Sequence, residues 1–107
     1  MKQLTFKKQT PNGLIDGVLR VHEKLIFFKY KNSEVARQTI KQFIDKGIKI
    51  EEGNGWIKVD LLGDIEAVKL GNYEIDQKED TPEIIEDKLF KFYKEEYKNK
   101  GFYIDTQ

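Results

Sequence analysis

The 107-residue chain has no cysteine, and it contains only two prolines, one serine, one histidine and one tryptophan. The missing cysteines exclude disulfide bonds, thiolate metal sites and a cysteine nucleophile, so nothing requires an oxidising compartment. No run approaches the roughly 18 apolar residues that a membrane span needs, and the first residues lack the apolar core of a signal peptide. We therefore expect one domain over residues 1–107, soluble and cytoplasmic, without membrane association.

Arginine is also scarce, because lysine outnumbers it 17 to 2. Arginine is the preferred residue for bidentate contacts with phosphates and bases, so this ratio argues against sequence-specific DNA recognition. Lysine and isoleucine together make up 29 of the 107 residues, which is typical of an AT-rich coding genome. Composition therefore suggests a low-GC bacterium, its phage or a mobile element as the source.

The formal net charge is zero, but the charges are unevenly distributed along the chain. Residues 1–50 carry a formal charge of +7 and residues 51–107 carry −7. Either the two halves form separate faces, which would give a dipole able to orient a partner, or they neutralise each other within the fold.

Alternating apolar residues predict three strands near residues 3–9, 14–22 and 25–31. Turn signals lie at Thr10-Pro11-Asn12-Gly13 and at Asp16-Gly17. Because the two signals are so close, both cannot be hairpin turns between full strands, and we expect one to be a loop or bulge. Apolar residues at helical spacing then predict a helix over about 34–46, capped by Asn32-Ser33 and ended by Gly47.

Short alternating segments separated by glycine turns predict an antiparallel meander over residues 48–75. A second helix begins at Asp80-Thr81-Pro82-Glu83, where a cap, an early proline and an acid three residues after Asp80 coincide. Gly101 ends it, and a short strand follows near residues 102–104. The order β-β-β-α-β-β-β-α-β, with a further strand allowed before the second helix, indicates an α+β fold, with an antiparallel sheet or small barrel and two amphipathic helices.

No constellation of residues indicates an enzyme. His22 and Glu23 are adjacent strand residues, so their side chains should point to opposite faces, and no nucleophile accompanies them. The carboxylates Asp60, Asp64 and Glu66 surround a glycine turn and lack a calcium-loop pattern. Gly53-Asn54-Gly55 lacks the third glycine and the following helix of a phosphate-binding loop, so we expect a hairpin turn there. We therefore predict no catalytic residue, no metal site and no cofactor.

Acidic residues are concentrated between positions 74 and 87, where seven acids face one lysine. Such a segment could dock on a basic partner or imitate a nucleic-acid backbone. It could also be a solvated loop before a helix whose first turn favours acids. The candidate partner-binding residues here are Glu74, Asp76, Glu79, Asp80, Glu83 and Glu86.

Trp56 is the only tryptophan, and alternation places it with Lys58 and Asp60, opposite the apolar Ile57 and Val59. If that face is open to solvent, Trp56 is an exposed anchor for a partner; if a helix covers it, Trp56 belongs to the core. We include it among the candidate partner-binding residues.

The stretch RVHEKLIFFKYKN, residues 20–32, interleaves aromatic and cationic side chains. Strand parity assigns Ile26, Phe28 and Tyr30 to the core, which leaves Phe27 beside Lys29 as a possible stacking group. The candidate nucleic-acid residues are Phe27, Lys29, Lys31, Lys7 and Lys8. Single-strand binders usually combine several aromatics with a cationic groove, so this set is small.

Two functional hypotheses follow. The first is a small non-enzymatic protein-binding module, in the role of a phage or mobile-element regulator or inhibitor, that acts through the acidic surface. The alternative is a nucleic-acid-binding small β domain, of the oligonucleotide-binding barrel type, that uses the N-terminal lysines and aromatics. The sequence does not identify the partner or the oligomeric state.

Overall fold

The structure is a computed structural model that describes residues 1–106 and contains two helices and eight strands in the predicted α+β order. The eight strands are β1 (Lys2–Thr10), β2 (Gly13–His22), β3 (Leu25–Tyr30), β4 (Lys49–Gly53), β5 (Trp56–Asp60), β6 (Ala67–Leu70), β7 (Tyr73–Asp76) and β8 (Tyr103–Thr106). The helices are α1 (Ser33–Asp45) and α2 (Pro82–Asn99).

Six strands form one sheet in the order β4-β5-β3-β2-β1-β8, and β6 pairs with β7 in a separate two-stranded sheet. All of the strand pairs are antiparallel, as the short connections require. The outer strands β4 and β8 do not pair with each other, so the sheet stays open and does not form a closed barrel. The antiparallel-sheet prediction is therefore confirmed, and the small-barrel alternative is wrong.

The first hairpin turns at Pro11-Asn12, because Thr10 pairs directly with Gly13, whose φ is 121°. The strand predicted over residues 14–22 is present, but neither turn signal forms the expected loop or bulge. Asp16 and Gly17 lie inside β2, in continuous register with Lys7 and Phe6 of β1. Gly17 is needed there because the chain is crowded: a Cβ atom would lie 2.6 Å from the Phe6 ring and from the carbonyl oxygen of Lys29.

The hydrophobic core lies on one face of the large sheet, between the sheet, the two helices and the β6–β7 hairpin. Strand alternation brings every second residue of β1, β2, β3 and β5 to this face, as the parity of the sequence predicted. The fully enclosed side chains include Leu4, Phe6, Leu19, Val21, Ile26, Phe28, Ile57, Val59, Leu62, Ile75 and Leu89.

Both helices begin at side-chain caps. The side-chain oxygen of Asn32 accepts hydrogen bonds from the N–H groups of Glu34 and Val35, as predicted for α1. Helix α2 is capped by Thr81, whose side-chain oxygen accepts a hydrogen bond from the N–H of Ile84. Asp80, which lies three residues before Glu83, is not the cap. Within residues 1–106, neither helix combines the length and apolar character needed to span a membrane.

Candidate interaction surface on the open sheet face

Both helices pack on the core face of the large sheet, so the opposite face is open to solvent. This open face is formed by the alternate strand residues whose side chains point away from the core. Its residues include Val18, Arg20, Leu25, Phe27, Lys29, Trp56 and Lys58.

Trp56 lies on the open face and is half-buried, although no helix covers it. Cationic side chains pack against it instead: the Arg20 guanidinium carbon lies 4.5 Å from the Trp56 ring centroid, and the Lys29 ammonium lies 5.5 Å from it. The Arg20 Nε also donates to the side-chain oxygen of Gln3, which fixes the guanidinium from its other side. The two alternatives for Trp56 are thereby resolved in favour of a partly exposed residue outside the core.

Apolar side chains form the centre of this surface, and charged side chains surround them. Val18, Leu25 and Phe27 are half-buried on the same face of the sheet as Trp56, the face that points away from the core. On the rim, Lys58 pairs with Glu51 at 3.1 Å, and Lys31 pairs with Asp16 at 3.2 Å, while Lys24 pairs with Asp60 at 3.6 Å. An apolar centre with a charged rim is the usual anatomy of a protein interface.

Two rim lysines, Lys7 and Lys29, are exposed and have no ion-pair partner among the described residues. Phe27, Lys7, Lys29 and Lys31, four of the five candidate nucleic-acid residues, are thus brought together around the open face. Lys8 is separated from them, because it points to the core side of the sheet. There its ammonium donates to the Lys100 carbonyl at 2.6 Å and lies over the Phe102 ring.

The acidic segment lies in β7, α2 and the loop between them, and these elements pack on the core side, away from Trp56. Several of its carboxylates serve the local fold. Asp76 accepts hydrogen bonds from the N–H groups of Lys78 and Glu79, so it organises the loop. Asp80 accepts from the Asp76 N–H at 3.0 Å and from the Lys88 ammonium at 3.0 Å, and these bonds lower the pKa of Asp80.

Glu86 is also engaged, since only 12% of its side chain is exposed. Its carboxylate accepts from the Glu23 N–H at 2.9 Å and lies 3.3 Å from the amino group of Met1. Asp87 accepts from the Lys2 ammonium at 2.8 Å, and this bond lowers the pKa of Asp87. The candidate acids that stay exposed are Glu74, Glu79 and Glu83.

The other motifs have structural explanations. Asn54 and Gly55 have φ values of 54° and 79° and form the predicted hairpin turn between β4 and β5. Asp60 accepts from the Gly63 N–H and stabilises the next turn. Across residues 1–106, no three carboxylate or histidine side chains come close enough together to hold a metal ion.

The expectation that His22 and Glu23 point apart is wrong. The strand ends at His22, and Glu23 takes a left-handed conformation with φ of 53°, so alternation no longer applies. The His22 Nε2 lies 3.9 Å from a Glu23 carboxylate oxygen, and its Nδ1 lies 4.0 Å from Glu86. His22 is exposed, and the one serine of the sequence, Ser33, is the first residue of α1.

Arg20 is the surface residue that the sequence argument missed. Its position between the buried Leu19 and Val21 could have placed it on the open face, but its contact with Trp56 spans β3, which lies between their strands.

No protein-family model, no curated protein and no solved structure matches the chain. The geometry of the open face and the charges around it therefore carry the functional inference.

Proposed function

We propose that the chain is a small protein-binding domain, not an enzyme, and that its partner binds the open face. The single observation that supports this is the contact of Arg20 with Trp56 at the centre of a sheet face that no helix covers. Tryptophan and arginine are the residue types most enriched among the energetic centres of protein interfaces. Here both are held in place before binding, which lowers the entropic cost of ordering them.

The rest of the surface indicates the chemistry of the partner. Val18, Leu25 and Phe27 add half-buried apolar side chains to the face that carries Trp56, which matches an apolar or aromatic protrusion. Lys7 and Lys29 have no ion-pair partner among the described residues, so acidic side chains around that protrusion would complement them. The acidic segment has a smaller part in this proposal, because Asp76, Asp80 and Glu86 are engaged within the fold.

The experiment is a comparison of partner capture by tagged wild-type protein and by surface variants. Trp56→Ala and Arg20→Ala should each lower the affinity for the captured partner at least tenfold, as loss of an interface centre does. Ile84→Ala is the matched control, because Ile84 is 44% exposed on α2, on the other side of the molecule. Undiminished capture by both open-face variants would overturn the proposal.

A second set of variants separates this surface from the acidic one. Reversing the three exposed acids with Glu74→Lys, Glu79→Lys and Glu83→Lys should leave the affinity within about twofold, since rim charges contribute little. If this triple variant loses the partner and Trp56→Ala keeps it, the acidic segment is the binding surface.

The proposed setting is the cytoplasm of a low-GC bacterium, where the domain would act as a phage or mobile-element regulator or inhibitor.

Single-stranded nucleic acid is the second candidate ligand, because Phe27 shares the open face with Lys7 and Lys29. It is less favoured than a protein because Lys31 and Lys58 are already ion-paired. Titration of labelled single-stranded DNA and RNA at 20 and 200 mM salt tests it, since phosphate contacts must weaken steeply with salt. Binding that weakens in this way and needs Phe27 would favour this candidate over a protein.

A further inference from the structure

A cavity of about 440 Å³ lies on the other side of the sheet, between α1 and α2. Its volume falls within the range of about 300–1,000 Å³ that is usual for small-molecule sites. Phe28 and Tyr30 of β3 line it together with Phe43 of α1 and with Tyr93 and Tyr97 of α2. It is therefore enclosed from three directions by aromatic rings.

The cavity exists because the two helices do not close over the sheet. Helix α1 carries an apolar stripe, yet none of its side chains is fully buried. Val35 and Phe43 of this stripe border the cavity and stay partly accessible. A ligand in the cavity would therefore bury apolar surface on α1 that the protein alone leaves accessible, and this burial favours binding.

The rings are packed against one another in defined orientations. The Phe28 ring lies 6.2 Å from the nearly parallel Tyr30 ring and meets the Tyr93 ring edge-on at 5.8 Å. The Tyr30 ring also meets the Phe6 ring edge-on at 5.6 Å. Flat walls that are fixed in this way favour a planar ligand, which can stack on one ring and meet the edge of another.

The charges around the cavity favour an anion. Lys46 and Lys100 line it, and the Lys8 ammonium donates a hydrogen bond to the Lys100 carbonyl. Glu96 is the one acid among the lining residues. The two helix C-termini each contribute a partial charge of roughly −0.5, which reduces the positive excess to about one elementary charge. Lys46 has no ion-pair partner within residues 1–106, so its charge is available to a ligand.

We propose that this cavity binds a small organic anion with a planar apolar body, of the aromatic carboxylate class. The apolar body lies among the rings of Phe28, Tyr30 and Tyr93, and the carboxylate faces the Lys46 ammonium at the mouth. This site is independent of the proposed protein interface, because the sheet separates the cavity from Trp56.

The probe pair for the test is 2-naphthoate and its neutral analogue 2-naphthamide, which differ in charge and share the same ring. Calorimetric titration should give tighter binding of 2-naphthoate by roughly fivefold, the effect of one partly exposed ion pair. Lys46→Glu should remove this preference. Lys41→Glu, an exposed charge reversal on α1 outside the cavity, should keep it.

The location is tested by amide chemical-shift mapping with 2-naphthoate. The amides of Thr39, Phe43 and Tyr97 should shift, while those of Val18 and Phe27 on the open face should not. Absence of 2-naphthoate binding at millimolar concentration overturns the proposal, and so do shifts confined to the open face. Equal affinity for both probes, or equal effects of Lys46→Glu and Lys41→Glu, contradicts the anionic preference on which the ligand class rests.

Discussion

Gly17 shows how one residue can set the spacing of a sheet. A methyl group at this position would meet both the Phe6 ring and the backbone of β3, since the two nearest atoms lie at 2.6 Å. We expect Gly17→Ala to lower the free energy of unfolding by about 1–3 kcal/mol, the usual effect of overpacking. Urea denaturation measures this directly. Gly53→Ala is the control, because nothing lies within 4 Å of a Cβ atom there, and a loss of similar size in both variants would contradict the steric explanation.

Asp80 should make the stability of the fold depend on pH. The Asp76 N–H and the Lys88 ammonium lower its pKa in the folded protein. A carboxyl whose folded pKa lies below its unfolded value of about 3.9 stabilises the fold above that value, and the stabilisation is lost as pH falls through the folded pKa. We therefore expect Asp80→Asn to lower Tm at pH 7 and to make Tm fall less between pH 5 and pH 2 than in wild type.

The matched variant for this test is Glu79→Gln, because Glu79 is exposed and its carboxylate is engaged in no ion pair among the described residues. Calorimetric melting over the same pH series should give Glu79→Gln a profile close to that of wild type. Parallel profiles for wild type and Asp80→Asn would show that Asp80 does not contribute to the acid dependence.

At the scale of elements, the start of α1 can be tested by two neighbouring substitutions. Asn32 accepts two backbone N–H groups, whereas Ser33 is the first helical residue and is exposed. Asn32→Ala should cost about 1 kcal/mol of unfolding free energy, and Ser33→Ala should change it by a few tenths at most. The measurement is again urea denaturation, and the reverse order of effects would assign the cap to Ser33.

The helices and most strands could be predicted from the sequence because their signals are local. The apolar repeat of α1 and the strand parity that buries Ile26 and Phe28 depend only on neighbouring residues. The turn signal at Asp16-Gly17 produces neither a loop nor a bulge, because pairing with β1 overrides local turn preference. Parity also placed Trp56 on the correct face, but whether a helix covers that face depends on the side of the sheet to which both helices pack.

The candidate site was harder to predict because it depends on contacts between residues that are far apart in sequence. Two carboxylates of the acidic stretch looked available because their partners are distant in sequence. Glu86 binds the N–H of Glu23, 63 residues away, and Asp87 binds Lys2, 85 residues away. No pattern within the segment could indicate these contacts.

At the scale of the whole molecule, α2 joins the parts of the fold. Leu89 is fully buried within the core that the large sheet, the helices and the β6–β7 hairpin share. Leu89→Ala should lower the unfolding free energy by about 2–5 kcal/mol, because it leaves a cavity that the surrounding elements cannot fill. Ile84→Ala on the exposed side of α2 is the control and should change it far less. Similar losses in the two variants would mean that α2 is not anchored through Leu89.

The opposite charges of the two halves of the chain meet within the fold. Lys2 pairs with Asp87 and Lys24 with Asp60, and the amino group of Met1 lies beside Glu86. Each of these pairs joins the basic half to the acidic half. Part of the charge asymmetry along the chain is thus neutralised by contacts between the halves, in agreement with the interpretation that the two halves neutralise each other within the fold.

The pairing of β1 with β8 has a consequence for synthesis on the ribosome. Leu4–Lys7 pair with Tyr103–Thr106, so β1 is made before β2–β7 and both helices, whereas its second neighbour, β8, is made after them. At roughly 5–20 residues per second, one edge of β1 waits about 5–20 s for that neighbour. The β1–β2–β3 meander can form early, whereas the nascent chain must carry an unpaired edge, with Lys7 and Lys8 along it, until β8 has been synthesised.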